Sequence, residues 1–179
     1  RWLQKKHPGA RLILAGDSAG GGLAIVTALA ARDEGLPMPA AMVLFSPWTD
    51  LAATGRSIDA NARMCAMFTP KGIRTGAEVY LGNADARDPR ASPLYADLKG
   101  LPPTLVFASL HEILLDDSTR FVEKARAAGV SAELILRDGV PHIWPVFHRL
   151  LPEGREALDA VSRFARTVQR QGQPGSAVA

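Results

Sequence analysis

The chain reads as an α/β domain on a parallel sheet, and three observations predict it. Four short apolar runs, 11–15, 41–45, 104–108 and 132–136, show little polar alternation, the pattern of strands covered on both faces. Helical segments rather than tight hairpins separate them, so successive strands must be joined by crossovers and run parallel. The first run leads straight into a glycine-rich turn, Gly16-Asp17-Ser18-Ala19-Gly20-Gly21-Gly22, and that turn into an alanine-rich helical stretch.

Taken in order, residues 1–6 have the composition of a helix's last turns, closed by His7-Pro8-Gly9. The chain has no initiator Met and no signal-peptide pattern, so it is expected to begin inside a domain, as a fragment. Strand 11–15 is followed by a helix over 21–34, ended by Gly35. Strand 41–45 comes next, and Thr69-Pro70 then reads as an N-cap with proline at the first helical position, opening a helix over 71–81. After strand 104–108, a helix over 116–128 presents a half-apolar face through Leu115, Thr119, Val122 and Ala125 and stops at Gly129. Strand 132–136 and a helix over 152–170 complete the pattern. Residues 1–170 are therefore taken as one partial domain and 171–179 as a disordered polar tail. The irregular stretches 46–70 and 82–103 are long enough either to border a site or to serve as surface connections.

With 179 residues, 47% hydrophobic and 22% charged, the chain suits one soluble domain with a real core. Its net charge of +3 comes from scattered basic residues, which excludes a nucleic-acid footprint. No apolar stretch approaches the roughly twenty residues of a membrane span, and a cytoplasmic location is expected. The single cysteine, Cys65, excludes an intrachain disulfide and a multi-cysteine metal site.

The Gly-x-Ser-x-Gly turn carries the chemistry. A sharp strand-to-helix turn holds Ser18 in a strained conformation, so its neighbours must be small, and Gly16, Ala19 and Gly20 are. The following helix aims its N-terminal amides and positive dipole end at the serine, which suits chemistry that builds negative charge there. A serine hydroxyl needs a base, and the base an anionic partner, in the order Ser, acid, His at the C-terminal ends of the strands. His142 follows the last strand in Val140-Pro141-His142-Ile143-Trp144, whereas His7, His111 and His148 read as solvated or packing residues. Glu112 lies in the loop after strand 104–108 and is the favoured acid, with Asp50, after strand 41–45, as the alternative. Asp116 and Asp117 open the next helix, where acids complement its dipole.

With these residues assembled, the chain resembles the hormone-sensitive lipase family of bacterial carboxylesterases, within the α/β hydrolases. The resemblance rests on Gly16 to Gly21, on Glu112-Ile113-Leu114-Leu115-Asp116 standing where that family has Asp-Pro-Leu-x-Asp, and on His142-Ile143-Trp144. Ser46-Pro47-Trp48-Thr49-Asp50-Leu51 and Ser92-Pro93-Leu94-Tyr95 look like the branch that includes small-ester and monoterpene-lactone hydrolases. The resemblance implies a serine carboxylesterase acting through Ser18, His142 and Glu112, with small esters as substrates and neither metal nor organic cofactor. A lactone hydrolase, or a dead ligand-binding or remnant scaffold, is the alternative, although His142 is present where dead relatives lack it.

The family also implies a His-Gly-Gly oxyanion loop upstream of the serine, and none stands between Arg1 and Gly16. The Ala19 amide is then the remaining oxyanion donor. The chain corresponds to the C-terminal half of the fold, so strand 11–15 is expected to form an exposed apolar edge. Weak stability, self-association into a homo-oligomer and poor esterase turnover are expected of it.

Overall fold

The computed structural model describes residues 2–171, so most of the tail expected at 171–179 lies outside the described residues. Four strands, β1 (Ile13–Asp17), β2 (Ala41–Phe45), β3 (Thr104–Ser109) and β4 (Ala132–Arg137), form one sheet in the order β1-β2-β3-β4. Every pair is parallel, with Ile13 opposite Ala41, Met42 opposite Thr104 and Thr104 opposite Ala132. Helices α1 (Trp2–Lys6), α2 (Ala19–Asp33), α3 (Ser57–Ala60), α4 (Pro70–Leu81), α5 (Leu115–Ala127) and α6 (Pro152–Gln171) surround it.

Alternating side chains on the central strands divide the core into two layers. On one face, Met42, Leu44 and Val106 pack with Ala24, Ile25 and Leu29 of α2 and with Phe121, Val122 and Ala125 of α5. On the other, Val43, Leu105 and Phe107 pack against Trp144 and, through Ala157 and Phe164, against α6. A third cluster, Ile58, Ile73, Ile113 and Leu114 with Trp48 and Phe68, lies under the long connection after β2.

The apolar runs place the central strands closely and β1 less well. The strand expected at 11–15 runs instead over Ile13–Asp17, because Gly16 and Asp17, poor strand formers alone, still pair with Leu44 and Phe45. Helix α2 opens at Ala19 rather than 21, directly after the turn. Thr69 does cap α4, its hydroxyl oxygen accepting the Gly72 N–H at 3.1 Å. Inside the two irregular stretches the structure adds α3 and a 3-10 turn at Pro93–Tyr95, and it buries Thr49, Asp50, Ser57 and Ser92. His148 directly follows a 3-10 turn over Trp144–Phe147.

β1 is a sheet edge among the described residues, with Ala15 and Asp17 exposed, while every residue of β3 is buried. An apolar groove of Leu12, Leu14, Val26 and Pro37 runs beside it and is flanked by the exposed Trp2 and Leu3. No helix of the described residues is long and apolar enough to cross a membrane.

Candidate active site

The turn after β1 is a strained one. Ser18 has φ 51° and ψ −120°, a conformation that a residue with a side chain adopts only when its surroundings over-determine it. They do so here. Its N–H donates to the Phe45 carbonyl at 2.9 Å, and its own carbonyl accepts the N–H groups of Gly21, Gly22 and Trp48 at 3.0, 3.3 and 2.8 Å. The close approaches explain the glycines. A Cβ on Gly16 would lie 2.2 Å from the Gly20 carbonyl oxygen, one on Gly21 2.8 Å from the Pro47 side chain, and one on Gly22 2.2 Å from the Trp48 carbonyl oxygen. Gly20, expected to be small for lack of room, faces open space, so Gly21 and Gly22 carry that constraint instead. Ala19 is exposed at the first position of α2, where a helix cannot satisfy its own N–H groups.

His142 and Glu112 meet at the other end of the sheet's C-terminal edge. The imidazole Nδ1 lies 2.6 Å from Glu112 Oε2, and both side chains are almost completely buried. A carboxylate at Nδ1 holds the proton there and leaves Nε2 as the acceptor. Nε2 is buried and has no hydrogen-bond partner among the described residues. Phe68 makes a T-shaped contact with the ring, with centroids 5.1 Å apart. Glu112 Oε1 accepts the Ser109 N–H at 3.3 Å, and Asn61 Nδ2 donates to the Glu112 carbonyl at 2.9 Å.

Asp50, the alternative acid, is engaged elsewhere. Its carboxylate accepts from Ala52 N–H, Thr54 N–H and hydroxyl, Tyr95 hydroxyl and Arg120 Nη2. Burial pushes its pKa up, but hydrogen bonds from Thr54, Arg120 and Tyr95 outweigh that and hold the carboxyl below its ordinary range. Asp117, read as a helix-dipole acid, is fully buried, and its Oδ2 accepts the N–H groups of Thr49 and Asp50, each at 2.8 Å. Desolvation by burial, aided by the neighbouring Asp50 charge, lifts its pKa to about 7 against the pull of the Thr49 and Asp50 amides and Arg120. Asn61, Phe68 and Asp117 carry no local signal for these contacts, which only the folded chain creates.

A strand-end serine in a forced turn and a buried His–carboxylate pair on one parallel sheet define an α/β hydrolase type of site. The chain belongs to the alpha/beta hydrolase fold family, which matches residues 1–146. It is 40% identical over 170 residues to an acetyl-hydrolase of Streptomyces hygroscopicus, covering 95% of this chain and 57% of that protein. An esterase of Acinetobacter venetianus is 38% identical over 158 residues, covering 88% of this chain and 52% of that protein. Among solved structures, an esterase from the bacterial hormone-sensitive lipase family superposes with a TM-score of 0.90 at 45% identity, covering 93% of this chain and 57% of that one. EstE5 gives 0.90 at 44%, covering 94% and 57%. The chain thus spans a little over half the length of the relatives it matches.

Proposed function

We propose that the protein is a serine carboxylesterase of the hormone-sensitive lipase type, acting on small carboxylic esters. Ser18 attacks the ester carbonyl while His142 Nε2 takes its proton, and Glu112 stabilises the resulting imidazolium. The Ala19 N–H, at the positive end of α2, donates to the developing oxyanion. The alcohol leaves with the proton from His142, which then activates water against the acyl-enzyme. The observation that supports this most is the buried 2.6 Å contact between His142 Nδ1 and Glu112. It leaves Nε2 as a buried acceptor with no partner among the described residues. The relatives' names, acetyl-hydrolase and esterase, support the substrate class. An apolar cavity of about 370 Å³, lined by Ala19, Gly20, Leu23, Trp48, Leu51 and Tyr80, adjoins the serine turn and suits a short acyl or alcohol chain.

The test is hydrolysis of p-nitrophenyl butyrate together with mass-spectrometric mapping of a sulfonyl fluoride adduct. The adduct is expected on Ser18, and Glu112→Gln is expected to lower turnover by about 10²- to 10⁴-fold. Asp50→Asn, compared at matched stability, retains most of it. Loss in Asp50→Asn alone overturns the choice of acid, and absence of both turnover and adduct overturns the esterase reading.

A further inference from the structure

The imidazole itself is held by Glu112 at Nδ1, by a T-shaped contact with Phe68 and by its near-complete burial. The ring's height above the sheet depends on something else, the backbone turn 140–143 that carries it. That turn is not part of a strand or helix, and Ile143 adopts φ 52°, a strained value for a β-branched residue. Two serines hold it. Ser46, the residue after β2, accepts the Ile143 N–H on its hydroxyl oxygen at 3.0 Å. Ser109, the last residue of β3, donates its hydroxyl to the Val140 carbonyl at 2.6 Å. Both serines are fully buried.

Each serine is itself anchored to the rigid part of the molecule. Ser46 extends the β2–β3 ladder, donating its N–H to the Phe107 carbonyl at 2.7 Å. Its own φ is 47°, which turns the side chain off the strand's regular path and beneath Ile143. Ser109 pairs with Arg137 of β4 in the sheet register, and its N–H also reaches Glu112 Oε1. The residue before Ser46, Phe45, accepts the Ser18 N–H, and Trp48, two residues after, donates to the Ser18 carbonyl. One short segment therefore ties the serine turn to the histidine turn, and β3 ties the histidine turn to its acid.

We propose that Ser46 and Ser109 form a brace that sets the position and tautomer of the His142 ring. Their role in turnover rests on the esterase reading above, whereas the brace itself does not. Both are positioning residues, since neither touches the reacting atoms. A buried serine that merely satisfied a loop amide would leave the ring's protonation state indifferent to its removal. The brace makes the opposite demand, because loss of either hydroxyl frees one side of the turn and loosens the contact with Glu112.

The experiment uses the full chain labelled with ¹⁵N-histidine, as wild type, Ser46→Gly and Ser109→Ala. Glycine at 46 accommodates φ 47° without strain, so this variant removes the hydroxyl while easing the backbone. Ser109→Ala is a near-isosteric second route should the first fail to fold. The ¹⁵N shifts of His142 are expected to report a single tautomer, protonated on Nδ1, in the wild type and a mixture in both variants, at unchanged circular dichroism. For p-nitrophenyl butyrate, kcat is expected to fall about 10- to 100-fold with KM within about twofold, the signature of a displaced catalytic group. Unchanged ring shifts in both variants overturn the brace, whatever happens to kcat. Altered ring shifts in a chain with neither ester turnover nor a sulfonyl adduct on Ser18 support the brace and overturn the esterase reading.

Discussion

Replacing the buried carboxyl of Asp117 by its neutral isostere should change how stability depends on pH. The side chain is fully buried beneath the Ser46–Asp50 segment, with Oδ1 3.5 Å from Arg120 Nη2 and Oδ2 capping two backbone amides. Burial lifts its pKa from 3.8 to about 7. Between those values the native state holds a proton that the unfolded chain has released. Stability therefore falls as pH rises through this window, is flat above about 7, and keeps its full contribution below 3.8. At about 1.4 kcal/mol per tenfold change in proton affinity, the displacement from 3.8 to about 7 is worth about 4 kcal/mol. Asp50, whose pKa is lowered, has the opposite sign and acts below this window. The assay is urea unfolding of wild type and Asp117→Asn at pH 4.5, 6 and 8, followed by circular dichroism. Groups common to both chains cancel in the difference. The variant, which can still accept the two amide hydrogen bonds, is expected to gain steadily on the wild type as pH rises. A difference that stays constant across the three pH values refutes the reasoning.

Two further predictions concern the serine turn and the start of α4. Gly22→Ala puts a Cβ 2.2 Å from the Trp48 carbonyl oxygen and should cost about 3 kcal/mol, whereas Gly20→Ala meets nothing within 4 Å and should stay within about 1 kcal/mol of the parent. Urea midpoints of the two variants check this, and equal effects would contradict it. Thr69→Ala removes the cap on the Gly72 N–H and is expected to destabilise by about 1 kcal/mol in the same assay, since the hydroxyl has no substitute there.

The parts legible in the sequence are those whose causes are local. β2 stands at 41–45 as its continuous apolar run predicts, because a central strand buried on both faces needs that composition throughout. Thr69-Pro70 announces the start of α4 for the same reason, since an N-cap acts within one turn. β1 lies two residues later than its apolar composition predicts, because its last pairs depend on a neighbouring strand rather than on its own residues. The four-residue α3 carries no periodicity to detect. Within the site, the serine turn is a single contiguous motif, and chain order favours Glu112 and His142, in the loops after β3 and β4, as the proposed acid and base while leaving Asp50 after β2 open as the acid. The contacts that support them are of another kind. Ser46 lies 97 residues from Ile143, Asn61 lies 51 from Glu112, and Asp117 lies 68 from Thr49. A buried carboxyl at a helix start and a solvated one look identical in sequence, so Asp117 could be read only as a dipole acid.

The distribution of backbone strain says what the turns around the sheet are for. Among the described residues, four with side chains have positive φ: Ser18, Ser46, Ala53 and Ile143. Three of them connect the sheet to the serine and histidine turns, and such conformations cost about 1–3 kcal/mol each. Stability alone would favour glycine at those positions. At Ser46 the hydroxyl accepts the Ile143 N–H, a contact that glycine could not make, and at Ser18 the hydroxyl is the nucleophile of the proposed esterase. The strain persists because hydrogen bonds from β2 and β3, the two most buried strands, over-determine each turn. A side chain must leave the end of a strand in a direction the strand does not offer. Holding it there to within a fraction of an ångström requires a rigid neighbour on each side. The central strands supply that rigidity, and the strained residues lie beyond the C-terminal ends of β1, β2 and β4, the end of a parallel sheet where such sites are built.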